Sequence, residues 1–473
     1  MYYKLRDDIF FRQYDKFGYI TDNSQFGYRT LNDTNVIIGE KYVSKSGSIM
    51  LGALSKKPRH IDEIIKELMN IFSDVDFLTL KNDTVNFYQN LIDLGYISKS
   101  KEFDDCKDQD LISIADTKKL QNTTSVEQYS IKYLLKSIHI EISGFCNEKC
   151  VHCYIPHHRV DGMMDSRLFY KILEESVDLN IINITLSGGE PLLHENILEF
   201  LERSRRFELS VNILSNLTLL NNDIISEMSK NKFLSVQTSL YSMNPKIHDN
   251  ITQHSGSFGK TKEGLLQLIH AGVPVQISCP IIKQNKKSFI EVIRWANDKN
   301  IGVVIEPIIF SIYDNSKSNL ANRLSLEEID EVYDVLFHNG YANEIYDKAK
   351  EKRMVTANDS VCSICRSKVC VSSNGYVFPC VGWHKNIIGN LNKQSLKEIW
   401  ESSKEIKELR EIQLKKFNKC ISCEDRGYCT ICIMNNYNEN RDIYKISEFN
   451  CRSASIIHKK IFNFLEKKGH SYD

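Results

Sequence analysis

Six short apolar runs, at residues 137–143, 181–187, 209–214, 234–240, 273–279 and 302–307, alternate with helical stretches such as 167–178 and 260–270. Strands alternating with helices build a parallel sheet, and six such units predict an α/β fold centred on a partial (β/α)6 TIM-like barrel. Loops at the C-terminal ends of such strands carry the chemistry. Before the barrel the pattern changes. Residues 9–13 and 18–21 predict a hairpin, 35–38 and 41–44 further strands, and 48–54 a short helix. Ile61, Ile64, Ile65, Leu68, Met69 and Phe72 form one apolar stripe of a second helix. A third is predicted over 83–94, N-capped by Asp83 and closed by Gly95. A hairpin with three short helices reads as a winged-helix-like α+β domain.

The expected organisation is therefore a winged-helix-like domain over 1–98, a polar linker over 99–134 that holds Asp104, Asp105, Asp108 and Asp110, a barrel over 135–340, and a cysteine-rich domain over 341–473. A helix over 326–337 bridges the last two. A final helix, with Ile457, Ile461, Phe464 and Leu465 on one face, packs back onto the body.

Composition narrows the function classes. Lys plus Arg equals Asp plus Glu at 61 each, which gives no hint of nucleic acid or an anionic membrane. The predicted third helix carries no Lys or Arg, which argues against a DNA-reading role. No uncharged run approaches the roughly 20 residues of a membrane span. Fourteen cysteines without a secretory leader read as metal ligands in a reducing cytoplasm.

The chemistry centres on Cys146, Cys150 and Cys153, directly after the first barrel strand. Three thiolates at these spacings can hold three corners of a cuboidal iron-sulfur cluster and leave one iron open. A zinc knuckle completed by His152 or His157 is the competing reading. Further on, Leu186-Ser187-Gly188-Gly189-Glu190-Pro191 ends the second strand.

These two motifs, in this order and spacing, resemble the signature of the radical S-adenosylmethionine (radical SAM) enzymes. The resemblance implies a [4Fe-4S] cluster on the three cysteines, with S-adenosyl-L-methionine chelating its open iron. Gly188, Gly189 and Glu190 would help hold the methionine amino group. The family's usual aromatic residue before the third cysteine is replaced by His152, with Tyr154 just after as a candidate contact to the cofactor. Ser215 and Asn216 follow the third strand, where the family often has Thr-Asn-Gly; Leu217 replaces the glycine. Asn216, Ser239 and Ser278 could bond the ribose or carboxylate, and Glu306 and Pro307 could border the adenosine. Cys279 reads as a buried small hydrophobe.

Toward the C-terminus come Cys362, Cys365, Cys370, Cys380, Cys420, Cys423, Cys429, Cys432 and Cys451. This stretch resembles the twin-cluster SPASM extension of peptide-modifying radical SAM enzymes. The likeness assigns Cys420, Cys423, Cys429 and Cys451 to an outer cluster. It assigns Cys380 and Cys432, with Cys362 and either Cys365 or Cys370, to an inner one. The last spacing is one residue short of the family pattern, which leaves Cys432 the weaker assignment. A pair of zinc sites is the alternative.

Residues 1–98 resemble, by pattern, the PqqD-like element that binds the leader of a ribosomally made precursor peptide as an added strand. Together the parts resemble sactipeptide- and ranthipeptide-type maturases. The implied reaction starts from a 5'-deoxyadenosyl radical and installs a thioether crosslink in a precursor peptide, with a flavodoxin- or ferredoxin-like protein as electron donor. Carbon-carbon crosslinking, epimerisation, formylglycine formation on a sulfatase and a metal-binding DNA regulator are the alternatives. No catalytic base stands out.

Overall fold

The computed structural model describes residues 1–28, 37–108, 133–159 and 161–466. The chain divides into two compact units that part between Leu134 and Leu135.

In the first unit β1 (Tyr2–Leu5), β2 (Ile9–Gln13), β3 (Phe17–Asp22) and β4 (Glu40–Ser44) precede α1 (Lys45–Gly52), β5 (Arg59–His60), α2 (Ile61–Met69), α3 (Phe77–Asp93) and β6 (Ile97–Ser100). The strands form two three-stranded antiparallel sheets, ordered β5-β1-β6 and β2-β3-β4. The predicted stripe of α2 is realised, with Ile61, Ile64, Ile65 and Leu68 buried against Leu80, Tyr88 and Leu91 of α3. The third helix starts earlier than its sequence predicts. Asp76, not Asp83, is its N-cap, and its carboxylate accepts from Leu78 N and Thr79 N at 3.0 Å each. The longer helix includes Lys81, and that ammonium pairs with Asp62 of α2 at 2.6 Å. Gly95 takes the expected left-handed turn at φ +83°.

The strand expected over 35–38 begins outside the described residues, and Ile37 and Ile38 carry no strand pairing. The linker expected over 99–134 also lies mostly outside them. Its described start is folded: β6 reaches Ser100, Cys106 is buried, and Asp108 pairs with Lys4 at 2.9 Å.

The second unit is built on one nine-stranded sheet. β7 (Ser137–Ser143), β8 (Asn183–Gly188), β9 (Ser210–Leu214), β10 (Leu234–Ser239), β11 (Val275–Pro280) and β12 (Gly302–Glu306) run parallel in spatial order β12-β11-β10-β9-β8-β7. Helices such as Ser166–Asp178, Ile197–Arg206 and Ser257–His270 connect them. This is the predicted partial barrel, with strand ends within about two residues of expectation.

An additional strand completes it. Beyond the helices Leu326–His338 and Ala342–Arg353, β13 (Lys368–Val371) pairs in parallel with β7 and sets Cys370 opposite His139. The strands β14 (Tyr376–Phe378) and β15 (Gly389–Asn390) continue antiparallel from β13. The cysteine-rich segment is thus stitched to the barrel by backbone hydrogen bonds on the outer edge of its first strand. The last helix, Glu448–Glu466, buries Ile457, Ile461 and Leu465. Among the described residues, no helix is long and apolar enough to cross a membrane.

Candidate functional site

The cysteine triad follows β7 on a loop that other backbone crowds. A Cβ at Gly144 would lie 1.7 Å from Asp161 O, and one at Gly189 would lie 2.1 Å from Phe145 O. Gly188, at φ +127°, would bring a Cβ to 2.0 Å from Ser143 O. Only glycine fits these positions, which let the end of β8 lie directly on the loop. Gly189 N donates to Ser143 O and Glu190 N to Phe145 O, both at 2.8 Å. The Gly-Gly-Glu-Pro motif therefore clamps the loop that presents Cys146.

Glu190 is 1% exposed, and its carboxylate accepts from Leu192 N at 2.9 Å, Ser215 Oγ at 2.7 Å and Asn216 N at 2.8 Å. It ties the ends of β8 and β9 together. Asn216 in turn donates from Nδ2 to Asn147 Oδ1 at 2.8 Å, fastening the β9 turn to the cysteine loop. Leu217, in the place where a glycine is usual, adopts φ +63° and is buried.

Electrostatics mark what the loop lacks. Burial pushes the Cys146 thiol up to about 12 and raises Cys150 and Cys153. Burial also pushes the carboxylic acids of Glu148 and Glu190 up to about 7. A desolvated set of thiols and carboxyls gains from a cation or a positively charged cluster. Sequence reasoning missed Glu148, whose Oε2 lies 3.5 Å from Cys150 Sγ. His152 is held neutral by burial, which takes its pKa down to about 4, and its ring stands edge-on to Tyr241 at 5.1 Å. Tyr241 OH reaches Cys150 Sγ at 3.8 Å. Tyr154 accepts from Tyr313 N at its carbonyl, and burial raises its phenol pKa. Ser239 ends β10 beside Ser278 of β11. Cys279 is fully buried, as expected.

The C-terminal cysteines separate into two groups. Cys365 interacts electrostatically with Cys362 and Cys380, and Cys432 with Cys380 and Cys362. Backbone N–H groups of Val381 and Gly382 point at the Cys380 sulfur, and those of Met434 and Asn435 at Cys432. Cys432 joins this group despite its short spacing, because it directly precedes the helix Ile433–Asn440. Cys420, Cys423, Cys429 and Cys451 form the second group and line a cavity of about 740 Å³.

Of the three upstream candidates, Cys370 also interacts electrostatically with Cys380, but it stands on a strand. β13 carries it into the sheet, where it gathers with Glu141 of β7 and His384; these donor atoms lie within 4.8 Å of one another. Among the described residues this is the one such set of three.

Residues 140–296 match the model of the radical SAM superfamily, and residues 362–425 match the iron-sulfur cluster-binding domain SPASM. The AdoMet-dependent heme synthase of Methanosarcina barkeri is 26% identical over 326 residues, 62% of this chain and 89% of that protein. The antilisterial bacteriocin subtilosin biosynthesis protein AlbA of Bacillus subtilis is 24% identical over 321 residues, 64% of this chain and 68% of that protein. Among solved structures, Streptococcus suis SuiB bound to precursor peptide SuiA superposes with a TM-score of 0.64 at 14% identity, covering 94% of this chain and 99% of that one. The same protein bound to S-adenosylmethionine gives 0.61 at 15% identity, covering 95% and 99%. At these identities the likeness to SuiB is one of fold.

Proposed function

We propose that this chain, which carries a radical SAM domain followed by an iron-sulfur cluster-binding SPASM domain, is a maturase that installs a thioether crosslink in a ribosomally made precursor peptide. Its cofactors are [4Fe-4S] clusters and S-adenosylmethionine. The observation that carries the peptide reading is the extent of the likeness to SuiB. The heme synthase match spans 62% of the chain, whereas the fold shared with peptide-bound SuiB spans 94%. AlbA, with its role in bacteriocin biosynthesis, supports the same class.

In this reading Cys146, Cys150 and Cys153 hold the first cluster, and S-adenosylmethionine sits over the C-terminal ends of β8 to β11. When bound, these cofactors would supply one-electron chemistry that can take hydrogen from an unactivated carbon. The residues of the chain orient and shield. Gly188 and Gly189 expose backbone that can meet the methionine amino group, and Glu190 fixes that backbone from behind. Asn216, Ser239 and Tyr154 border the cofactor, and buried Tyr241 and neutral His152 exclude water behind Cys150. Cys362, Cys365, Cys380 and Cys432 hold an inner auxiliary cluster; Cys420, Cys423, Cys429 and Cys451 hold an outer one. The N-terminal unit acts as a PqqD-like element, binding the leader as an added strand at an open sheet edge. A flavodoxin- or ferredoxin-like protein in the cytoplasm delivers the electron.

Co-expression with a short cysteine-bearing peptide encoded beside the gene, followed by mass spectrometry and alkylation, tests the proposal. A thioether removes two hydrogens per link and blocks alkylation of the linked cysteine. A carbon-carbon link removes the same mass but leaves the thiol reactive. An unchanged mass refutes crosslinking.

A further inference from the structure

Glu141, Cys370 and His384 meet at a point to which the cluster assignments give no task. Glu141 is fully buried in β7, Cys370 is 1% exposed in β13, and the His384 side chain is 9% exposed on the segment after Cys380. Each offers a donor atom toward the other two, all within 4.8 Å. Two of these atoms, Glu141 Oε1 and His384 Nε2, face each other as an ion pair, and neither makes an aligned hydrogen bond to any other group. A buried carboxylate oxygen and imidazole nitrogen that face each other without an aligned hydrogen bond are better satisfied with a ligand shared between them.

Their spacing indicates its kind. His384 Nε2 and Glu141 Oε1 are 3.4 Å apart without hydrogen-bond alignment. Two donors on neighbouring corners of a zinc tetrahedron, with bonds of about 2.0–2.1 Å, are about 3.3 Å apart. The surroundings hold the donors in place. The His384 ring is stacked between Tyr313 at 4.1 Å and Phe378 at 4.2 Å. Arg159 donates to Glu141 Oε2 at 2.7 Å, which fixes the carboxylate while leaving Oε1 available, and it pairs on its other side with Asp161. Carboxylates that ligate metals are commonly secured by such an outer hydrogen bond. With Cys370 as thiolate, two carboxylates and one guanidinium, a divalent ion brings the local charge to zero.

We propose that Glu141, Cys370 and His384 form a mononuclear site for a divalent metal ion of the zinc class, separate from the triad and from both cysteine quartets. One thiolate, one imidazole and one carboxylate suit such an ion, and three protein donors leave a fourth corner for water or a group of the substrate. The ion would pin β7, β13 and the segment after Cys380 to one another.

The test uses the anaerobically reconstituted holoprotein, exposed to zinc, freed of excess and analysed for zinc and iron, with zinc-edge X-ray absorption. The expected result is one zinc per chain with a single sulfur among otherwise light ligands. In Cys370→Ser and in His384→Asn zinc should fall by about tenfold or more with iron unchanged. Cys370→Ser is nearly isosteric, and equal melting temperatures will show that zinc loss is not unfolding. The proposal is overturned if wild type holds no more zinc than Cys370→Ser, if Cys370→Ser loses iron instead, or if the zinc is surrounded by sulfur alone.

Discussion

Cys146, Cys150 and Cys153 stand within eight residues on one loop, whereas Cys362, Cys365, Cys380 and Cys432, the inner quartet of the proposed assignment, come from some 70 residues of chain. The two sites use the same ligand under different constraints. A quartet closes its own coordination, and its position follows from the four segments that meet there. As the proposed holder of a four-iron cluster, the triad is short by one ligand and cannot define its own pose. Backbone at Gly144, Gly188 and Gly189 and the carboxylate of Glu190 do that work from outside. An open site needs a rigid frame that a closed one can do without.

The sharpest way to break this contrast is to remove one thiol from each region. Cys150→Ala should abolish 5'-deoxyadenosine formation in the presence of dithionite and S-adenosylmethionine. The expected loss is roughly 1,000-fold or more, about 4 kcal/mol. Cys429→Ala should preserve most cofactor cleavage, now uncoupled, while peptide product falls by about 100-fold. Persistence of product in that variant would mean the outer quartet is dispensable.

Acidity separates the regions more gently. Glu148 and Glu190 have their pKa values raised by burial to about 7, above the unfolded value of about 4.3. An acid raised on folding favours the protonated form. Its contribution to stability is present below about pH 4 and is lost as pH climbs toward about 7. A bound cationic ligand offsets that loss. The rise in melting temperature caused by S-adenosylmethionine should therefore grow between about pH 5 and pH 8. A shift independent of pH would separate these carboxyls from cofactor binding.

The smallest effect concerns the turn after β9. Leu217→Gly should relieve about 1 kcal/mol of left-handed backbone strain but forfeit about 3 kcal/mol of packing, a net loss of about 2 kcal/mol by denaturant unfolding.

The barrel was readable because each of its strands carries closely spaced apolar residues and helical stretches alternate with them, and the triad because its spacing is local. What escaped was short or distant. β13 is four residues long and has no periodic signal, yet it decides that Cys370 lies in the sheet, opposite His139. Glu141 and His384 are more than 200 residues apart, so their encounter is a product of topology. The start of α3 was misjudged because Asp76 and Asp83 are both competent caps; the hydrogen bonds of Asp76 settle the choice. Glu148 was hidden by its setting between cysteines, where a charged residue reads as exposed.

The pairing of β13 with β7 also sets a timetable. About 230 residues separate Ser137 from its partner Lys368. At roughly 5–20 residues per second on the ribosome, the outer edge of the first barrel strand stays bare for roughly 10–45 s before its neighbour emerges. Throughout that interval it can accept any passing strand, so a nascent chain halted before Lys368 is an aggregation seed.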